Sequence, residues 1–578
     1  MIELQALNQL APPDFVTALA SIYEHSPWVP ERVAALRPFA TVLALHEAMY
    51  NAVLQADNAQ QLALIRAHPE LAGKAAIRGE LTPESRSEQR HAGLSACTAL
   101  QYERLTALNA TYNERFGFPF ILSVKGHHPE SVIAQLATRV THSVEAEQAV
   151  ALQQIGRIAR FRLTDMVEEP LGAQILSMTE ELAAFSEDPD GLSCTYLTPT
   201  HRAAAQKIRD YFLAAGLTAH IDAVGNVVGV LATEDPDARH LLTGSHYDTV
   251  LDGGKYDGRL GILLPIAIAG RLKRRGQHLP YTLEIVAFAD EEGVRFQSTF
   301  LGSRALAGCF DLAALDAIDS QGESMRDALV AAGLDSAQIP AIARDPNALL
   351  GFVEVHIEQG PVLLDAGLAV GVVSSIAGSR RSLVTVTGLA GHAGTVPMSL
   401  RHDAAAGAAE IILAIEQRCR GEAGLVGTVG QLQVPGGAMN VIPGRCELSI
   451  DIRAGDDAVR DAAHADVMAR IAEIAARREL RIEHRPVVEA ASVACDARLS
   501  QAMAQSIGRV TGQDARRLPS GAGHDAMMMA RITPISMLFV RCGNGGISHH
   551  PNETLSSADA DLAAQVFEDF LMNLQVSP

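Results

Sequence analysis

The strongest constraint on this chain is a series of short apolar runs, each leading into a turn that carries histidine or carboxylate. His240–Thr243 runs into Gly244-Ser245-His246-Tyr247-Asp248, with Gly253-Gly254-Lys255-Tyr256-Asp257-Gly258 close behind. Thr282–Phe288 runs into Asp290-Glu291-Glu292-Gly293, and Phe352–Val355 into His356-Ile357-Glu358-Gln359-Gly360. Met537–Val540 precedes Gly546-Ile547-Ser548-His549-His550-Pro551. Runs of this kind, several of them separated by helical stretches, predict an α/β unit. Ligands of such sheets bind beyond the carboxyl ends of the strands, where these motifs fall.

The first 165 residues have a different texture. Phe39–Ala56, Glu84–Phe116 and Ser131–Phe161 are rich in Ala, Leu, Gln, Glu and Arg with apolar residues at helical spacing, so this part is predicted all-helical. The change falls near Thr164–Gly172. Charge divides there too. Of 67 acidic and 47 basic residues, 16 and 14 lie in 1–165, a net of −2, which leaves 51 and 33, a net of −18, beyond it. With 48% hydrophobic residues, several cores are expected. The net charge of −20 and 4% aromatic content argue against nucleic-acid or anionic-membrane partners. Seven scattered cysteines without a C-x-x-C pair suggest neither a disulfide framework nor a zinc ribbon. No basic n-region or membrane-length apolar run is read, so a soluble, cytoplasmic protein is expected.

From His246 to Asp257, Glu292, His356 and His549 the gaps are 11, 35, 64 and 193 residues, unlike zinc-finger spacing and suited to a site assembled from separate strand ends. Imidazole and carboxylate donors fit Zn, Mn, Co or Ni. A pair of ions needs a bridging carboxylate, which Asp257 could supply. Asp248 is placed to orient His246, and adjacent Glu291 and Glu292 allow one to ligate and the other to act as general base.

Together these motifs resemble the M20-type metallohydrolases, in particular the allantoate amidohydrolases and N-carbamoyl-L-amino-acid hydrolases, from about Ile175 to the end. The resemblance implies two divalent ions, Mn or Zn, with His246 and His356 as terminal ligands on different ions. It makes Asp257 the bridge, Glu292 and His549 further ligands, and Glu291 the base; His549 is preferred to His550 because the family pattern is Ser-His-x-Pro. It also implies substrate contacts from Gln359, His392, Asn440, Arg453 and His524. Arg453 suits a carboxylate, Asn440 and Gln359 a ureido group, and His392 an oxyanion, although Arg453 also reads as a surface ion pair and Asn440 as a turn residue. His524 lies in Gly521-Ala522-Gly523-His524-Asp525, which reads equally as a helix-capping loop. The family's inserted lid corresponds to 379–492, between catalytic segments 166–378 and 493–578. There strands Leu383–Thr387 and Glu447–Ile452 and helices Ala404–Arg418 and Ala458–Arg478 allow a small α/β sandwich, through which a homodimer would form. The implied reaction is hydrolysis of a carbamoyl C–N bond, with Glu291 moving the proton to the leaving nitrogen.

In the helical part, His68-Pro69-Glu70-Leu71-Ala72-Gly73 holds His68 extended ahead of proline, and Thr82-Pro83 reads as a helix start. Ser85 and Glu88 then share a helix face beside Gln89. With Gly117-Phe118-Pro119-Phe120-Ile121 and Arg160-Phe161-Arg162 these resemble the 2-oxo-4-hydroxy-4-carboxy-5-ureidoimidazoline (OHCU) decarboxylases, which yield (S)-allantoin. That likeness makes His68 and Glu88 catalytic and assigns substrate binding to Ser85, Gln89, Arg162 and the Phe120–Ile121 backbone, without a cofactor. A fusion of the two favours allantoate over N-carbamoyl amino acids as the second substrate. A noncatalytic scaffold in either half is the reading from another class.

Overall fold

A computed structural model describes residues 2–39, 41–71, 97–124 and 129–576, so Ser85, Glu88 and Gln89 lie outside the described residues. The chain forms two compact units, Met1–Gln174 and Ile175–Pro578.

The first unit is helical because its apolar residues recur at helical spacing and its turns carry capping side chains. Thr41, Asp57, Thr98 and Ser143 cap the helices Val42–Leu54, Asn58–Ala67, Ala99–Phe116 and Val144–Met166. Thr98 and Gln101 form a reciprocal capping box, and Ala99–Phe116 ends at Gly117 in the left-handed conformation. The helical segment Ser131–Phe161 falls in two helices, Pro129–Arg139 and Val144–Met166, because Ser143 starts a new helix. A further departure is a short parallel strand pair, Ile2–Glu3 with Val167–Glu168. The unit's last residues are thus tied to its first, and the division falls after Gln174 rather than at 165. Leu45, Met49, Ile65, Tyr112, Phe120, Leu136 and Ile155 form its core.

The second unit holds a nine-stranded sheet and a separate five-stranded one. Across the large sheet the order is Val493–Ala494, Val370–Ile376, Ile535–Val540, Leu349–Ile357, His240–His246, Thr282–Phe288, Val227–Leu231 and Thr218–Ile221, with Arg517–Ser520 also on Val370–Ile376. Its four central strands, Ile535–Val540 to Thr282–Phe288, are parallel and buried along most of their length. Parallel pairing brings four strand ends to one edge of the sheet. After His240–His246 the chain passes through Asp257 into helix Leu260–Arg275, whose residues 260–272 are all buried.

Within the second sheet, Leu425–Thr428, Arg445–Ala454, Gly378–Thr387 and Arg481–Ala490 are antiparallel, and Leu432–Gln433 also pairs with Arg445–Ala454. Strict alternation along Arg445–Ala454 points one face at helices Ala404–Arg420 and Asp457–Arg478. Val386, Ile411, Ile415, Cys446, Ile450, Ile452 and Ile471 fill the layer between. All seven cysteines are free. No helix among the described residues is long and apolar enough to cross a membrane.

Candidate active sites

Four strand ends and the Asp257 turn converge on one buried carboxylate. His246 ends its strand, His356 lies one residue before the end of Leu349–Ile357, and Glu291 and Glu292 follow Thr282–Phe288. His549 comes from the loop after Ile535–Val540. Asp257 Oδ1 is 3.7 Å from His246 Nε2 and 3.3 Å from His356 Nε2, while Oδ2 is 3.0 Å from His549 Nε2. His549 Nε2 is also 3.4 Å from Glu292 Oε1. Both His246 and His356 therefore face the same oxygen. The assignment of these two to different ions does not fit this geometry, because parallel neighbouring strands deliver both rings to one side of Asp257. Two donor triads share Asp257, His246–Asp257–His356 and Asp257–Glu292–His549, and two more, His246–Glu291–Glu292 and Glu354–His356–His524, adjoin them, each with ligand atoms within 4.8 Å of one another. Imidazole nitrogens with carboxylate oxygens suit divalent metal ions and disfavour a soft thiolate-type site.

The ring orientations follow from local bonds. His356 Nδ1 lies 2.8 Å from the Ile357 carbonyl and His246 Nδ1 lies 3.1 Å from the Asp248 carbonyl, so each Nε2 faces the cluster. Asp248 does more than orient His246. Its two carboxylate oxygens accept the Glu291 and Glu292 N–H groups at 3.0 and 3.1 Å, fixing the backbone of the glutamate pair. His549 rather than His550 meets Asp257; the His550 ring instead accepts the Asn552 N–H at 3.0 Å.

Electrostatics separate the roles. Burial, resisted by His246 and reinforced by Glu292, holds Glu291 well above the usual carboxylate range. Burial and the Asp257 charge raise Glu292 to about 7. Burial also opposes ionisation of Asp257, but hydrogen bonds from His246, His356 and His549 outweigh it and hold Asp257 well below the usual range. Its hydrogen bond with Asp257 raises His549 to about 9.

The substrate-contact candidates fall into two groups. Gln359 reaches the cluster, with Nε2 donating to Asp257 Oδ1 at 3.1 Å and to Ser548 Oγ at 3.3 Å. His524 is buried edge-on against His356, ring centroids 4.5 Å apart, and 2.7 Å from Ser520 Oγ. By contrast, His392 and Asn440 are exposed, on and beside a ribbon pairing Gly391–His392 with Val441–Ile442. Arg453 is an ion pair with Asp451 at 2.9 Å and donates to the Gly521 carbonyl at 2.7 Å, a contact to the loop that carries His524.

In the first unit His68 is the extended residue that closes Asn58–Ala67, as Pro69 requires. Its Nδ1 is 3.0 Å from the Leu64 carbonyl, and burial lowers its pKa to about 4, with Glu24 raising it and Arg162 and His25 lowering it. Arg162 Nη2 is 3.1 Å from Glu24 Oε1 and Nη1 donates to the Ser21 carbonyl, so Glu24 and Arg162 form a buried ion pair. Phe120 packs edge-on to Tyr112 in the core, the Ile121 carbonyl accepts from Arg139 at 2.8 Å, and Phe120 and Ile121 are both buried.

Three residues escaped sequence reasoning. Glu24 is one. Glu354 is the second; it is fully buried and accepts from Ser245 Oγ at 2.7 Å and the Ala526 N–H at 3.0 Å. The third, Glu553, accepts the Tyr256 and Asp257 N–H groups.

A parallel α/β sheet with paired imidazole–carboxylate triads at its carboxyl edge defines a metallohydrolase class, and comparison with known proteins specifies it. Residues 242–573 match the model of peptidase family M20/M25/M40, and residues 8–164 match that of OHCU decarboxylase. An allantoate deiminase from Arabidopsis thaliana is 40% identical over 437 residues, 70% of this chain and 83% of the relative. An N-carbamoyl-L-amino acid amidohydrolase from Geobacillus stearothermophilus is 40% identical over 396 residues, 68% of this chain and 96% of the relative. The crystal structure of a hydantoinase/carbamoylase-family amidase from Burkholderia multivorans superposes with a TM-score of 0.66 at 32% identity, covering 70% of this chain and 98% of that one. The chain belongs to the M20 family and carries an OHCU decarboxylase domain ahead of it, a carboxy-lyase fused to an amidohydrolase.

Proposed function

We propose that the chain catalyses two steps of urate breakdown: decarboxylation of OHCU to (S)-allantoin in the first unit, and hydrolysis of allantoate in the second. The observation that carries the hydrolytic reading is the sharing of one buried carboxylate, Asp257, by two donor triads with Glu291 beside them. His246, Asp257 and His356 would hold one divalent ion and Asp257, Glu292 and His549 the other. Bound there, the ions supply Lewis acidity toward water and the ureido carbonyl.

The residues of the chain do the rest. Glu291, its carboxyl raised by burial, accepts a proton as water adds to the ureido carbon and returns it to the leaving nitrogen as the C–N bond breaks. The resulting carbamate decomposes to CO2 and ammonia. Asp248 keeps Glu291 in register through its backbone N–H. Gln359, beside Asp257, is positioned to bind the ureido group. Arg453, already bridging to the Gly521 carbonyl, would exchange Asp451 for the substrate carboxylate as the 379–492 domain closes over the site.

A homodimer through the 379–492 domain would cover the exposed ribbon and the exposed apolar Leu389, Met398, Met439 and Val441, which lie near His392 and Asn440 in the sequence. In that arrangement the two polar residues would serve the other protomer's substrate. In the first unit, His68 is held neutral by burial and acts as general acid/base, while Arg162, fixed by Glu24, pairs with substrate oxygens. The electrons released with CO2 pass into the substrate's own unsaturated ring.

The equal 40% identity to the N-carbamoyl-L-amino acid amidohydrolase supports one alternative substrate class for the second unit. Ammonia release by the Mn-loaded chain from allantoate and from N-carbamoyl-L-amino acids, side by side, decides between them. Turnover of allantoate is expected; turnover of N-carbamoyl amino acids alone would overturn the allantoate reading.

A further inference from the structure

Of the donors around Asp257, His549 has the weakest support from regular structure. It lies in a loop, its backbone is left-handed at φ +54, and its side chain is 49% exposed. His246 and His356, by contrast, sit in buried strands. A buried carboxylate ties the His549 loop to the Asp257 turn. Glu553 is 4% exposed, and its Oε1 accepts the Tyr256 N–H at 2.8 Å and the Asp257 N–H at 3.1 Å. Its Oε2 accepts the hydroxyl of Ser548, the residue before His549, at 2.7 Å. Gln359 closes the ring by donating to both Ser548 Oγ and Asp257 Oδ1. The Asp257 turn is built to admit this carboxylate: a Cβ at Gly254 would stand 2.2 Å from the Glu553 carboxyl carbon.

We infer that Glu553 is a positioning residue that clasps the His549 loop to the Asp257 turn and thereby sets the affinity of the Asp257–Glu292–His549 triad. The inference rests on the two-ion reading above. Asp257 retains other anchors without Glu553: Oδ1 faces His246 and His356, and the next N–H, of Gly258, points at His356 Nε2 at 3.3 Å. The His549 loop loses the Ser548–Glu553 bond and keeps at Ser548 only the longer contact from Gln359. The effect should therefore fall on one ion of the two.

Manganese titration of the metal-free full chain by calorimetry, with metal counted after dialysis, tests this. The parent chain is expected to bind two ions. Glu553→Ala should weaken one site roughly 10–100-fold, the scale for losing an outer hydrogen-bond partner of a metal ligand, and leave the other unchanged. Glu553→Gln, whose amide oxygen still accepts both N–H groups and whose amide nitrogen can donate to Ser548 Oγ, should recover most of that loss. Ser548→Ala, which removes the Ser548 bonds to Glu553 and Gln359 but leaves the Tyr256 and Asp257 N–H groups bonded, should weaken the same single site and serves if Glu553→Ala does not fold. Two sites of parental affinity in Glu553→Ala and Ser548→Ala, or equal weakening of both sites, would overturn the inference. Fewer than two ions in the parent chain would instead overturn the two-ion reading itself.

Discussion

Gly258 adjoins Asp257 at φ +65, and a Cβ there would stand 2.4 Å from the His246 carbonyl oxygen and 2.6 Å from its ring carbons Cδ2 and Cε1. Gly276, which ends helix Leu260–Arg275, has nearly the same φ, +63, with nothing within 4 Å of its Cβ position. The two glycines thus separate backbone strain from collision. Gly276→Ala should cost about 1–2 kcal/mol, the penalty for a left-handed non-glycine residue. Gly258→Ala should carry the same cost plus about 1–3 kcal/mol of overpacking. Relief of the collision requires the His246 ring to retreat about 1 Å to reach ordinary contact of roughly 3.5 Å. Metal-ligand distances are set within about 0.2 Å, so that retreat removes His246 from its triad. Thermal unfolding and manganese titration of both variants provide the assay. Gly258→Ala is expected to be the less stable and to lose affinity at the His246 site by on the order of tenfold or more. Equal destabilisation of both variants, with parental metal affinity in Gly258→Ala, would refute the steric argument.

Three further outcomes follow from the first unit and from the glutamate pair. Glu24→Gln removes the charge opposite a buried Arg162, with side-chain exposures of 3% and 5%, and should destabilise the first unit by up to about 3–5 kcal/mol; a double-mutant cycle with Arg162→Gln that proves additive would contradict the pairing. His68, lowered to about 4 by burial, binds its proton later than an unfolded histidine near 6.5. The unfolded chain therefore holds more protons between those values, and stability should fall by roughly 3 kcal/mol as pH drops from 7 to below 4. Urea titrations across that range should show a shallower slope in His68→Gln, and an unchanged slope would mean His68 is not the group responsible. Asp248→Asn should disturb Glu291 and Glu292 together, because one carboxylate accepts both N–H groups; turnover is expected to drop with KM little changed, whereas a pure KM effect would place Asp248 with substrate binding.

The central strands were legible because burial on both faces leaves nearly unbroken apolar runs; Thr282–Phe288 is read with the ends it has. Edge strands were not. Arg481–Ala490 carries Arg481, Glu483, His484, Arg485 and Glu489 and is largely exposed, so it has no apolar run to read. Thr218–Ile221 is four residues of weak alternation. Donors placed at strand ends stand out in a sequence, since a polar motif interrupts an apolar one. Their supports do not: Glu24, Glu354 and Glu553 find partners 138, 109 and 296 residues away, and only folding makes them neighbours. The two histidines expected on separate ions show the same limit, since sequence order carries no information about which oxygen of Asp257 each will face.

Glu291→Gln in the manganese-loaded full chain tests the hydrolytic centre most directly, with bound metal, ammonia release from allantoate and OHCU decarboxylation measured on one preparation. The expected result is two ions retained, hydrolysis reduced by roughly 100-fold or more, the scale for losing a general acid–base group, and decarboxylation unchanged. Hydrolysis at the parental rate with both ions in place would contradict the role of Glu291 and the reading of the site built around it.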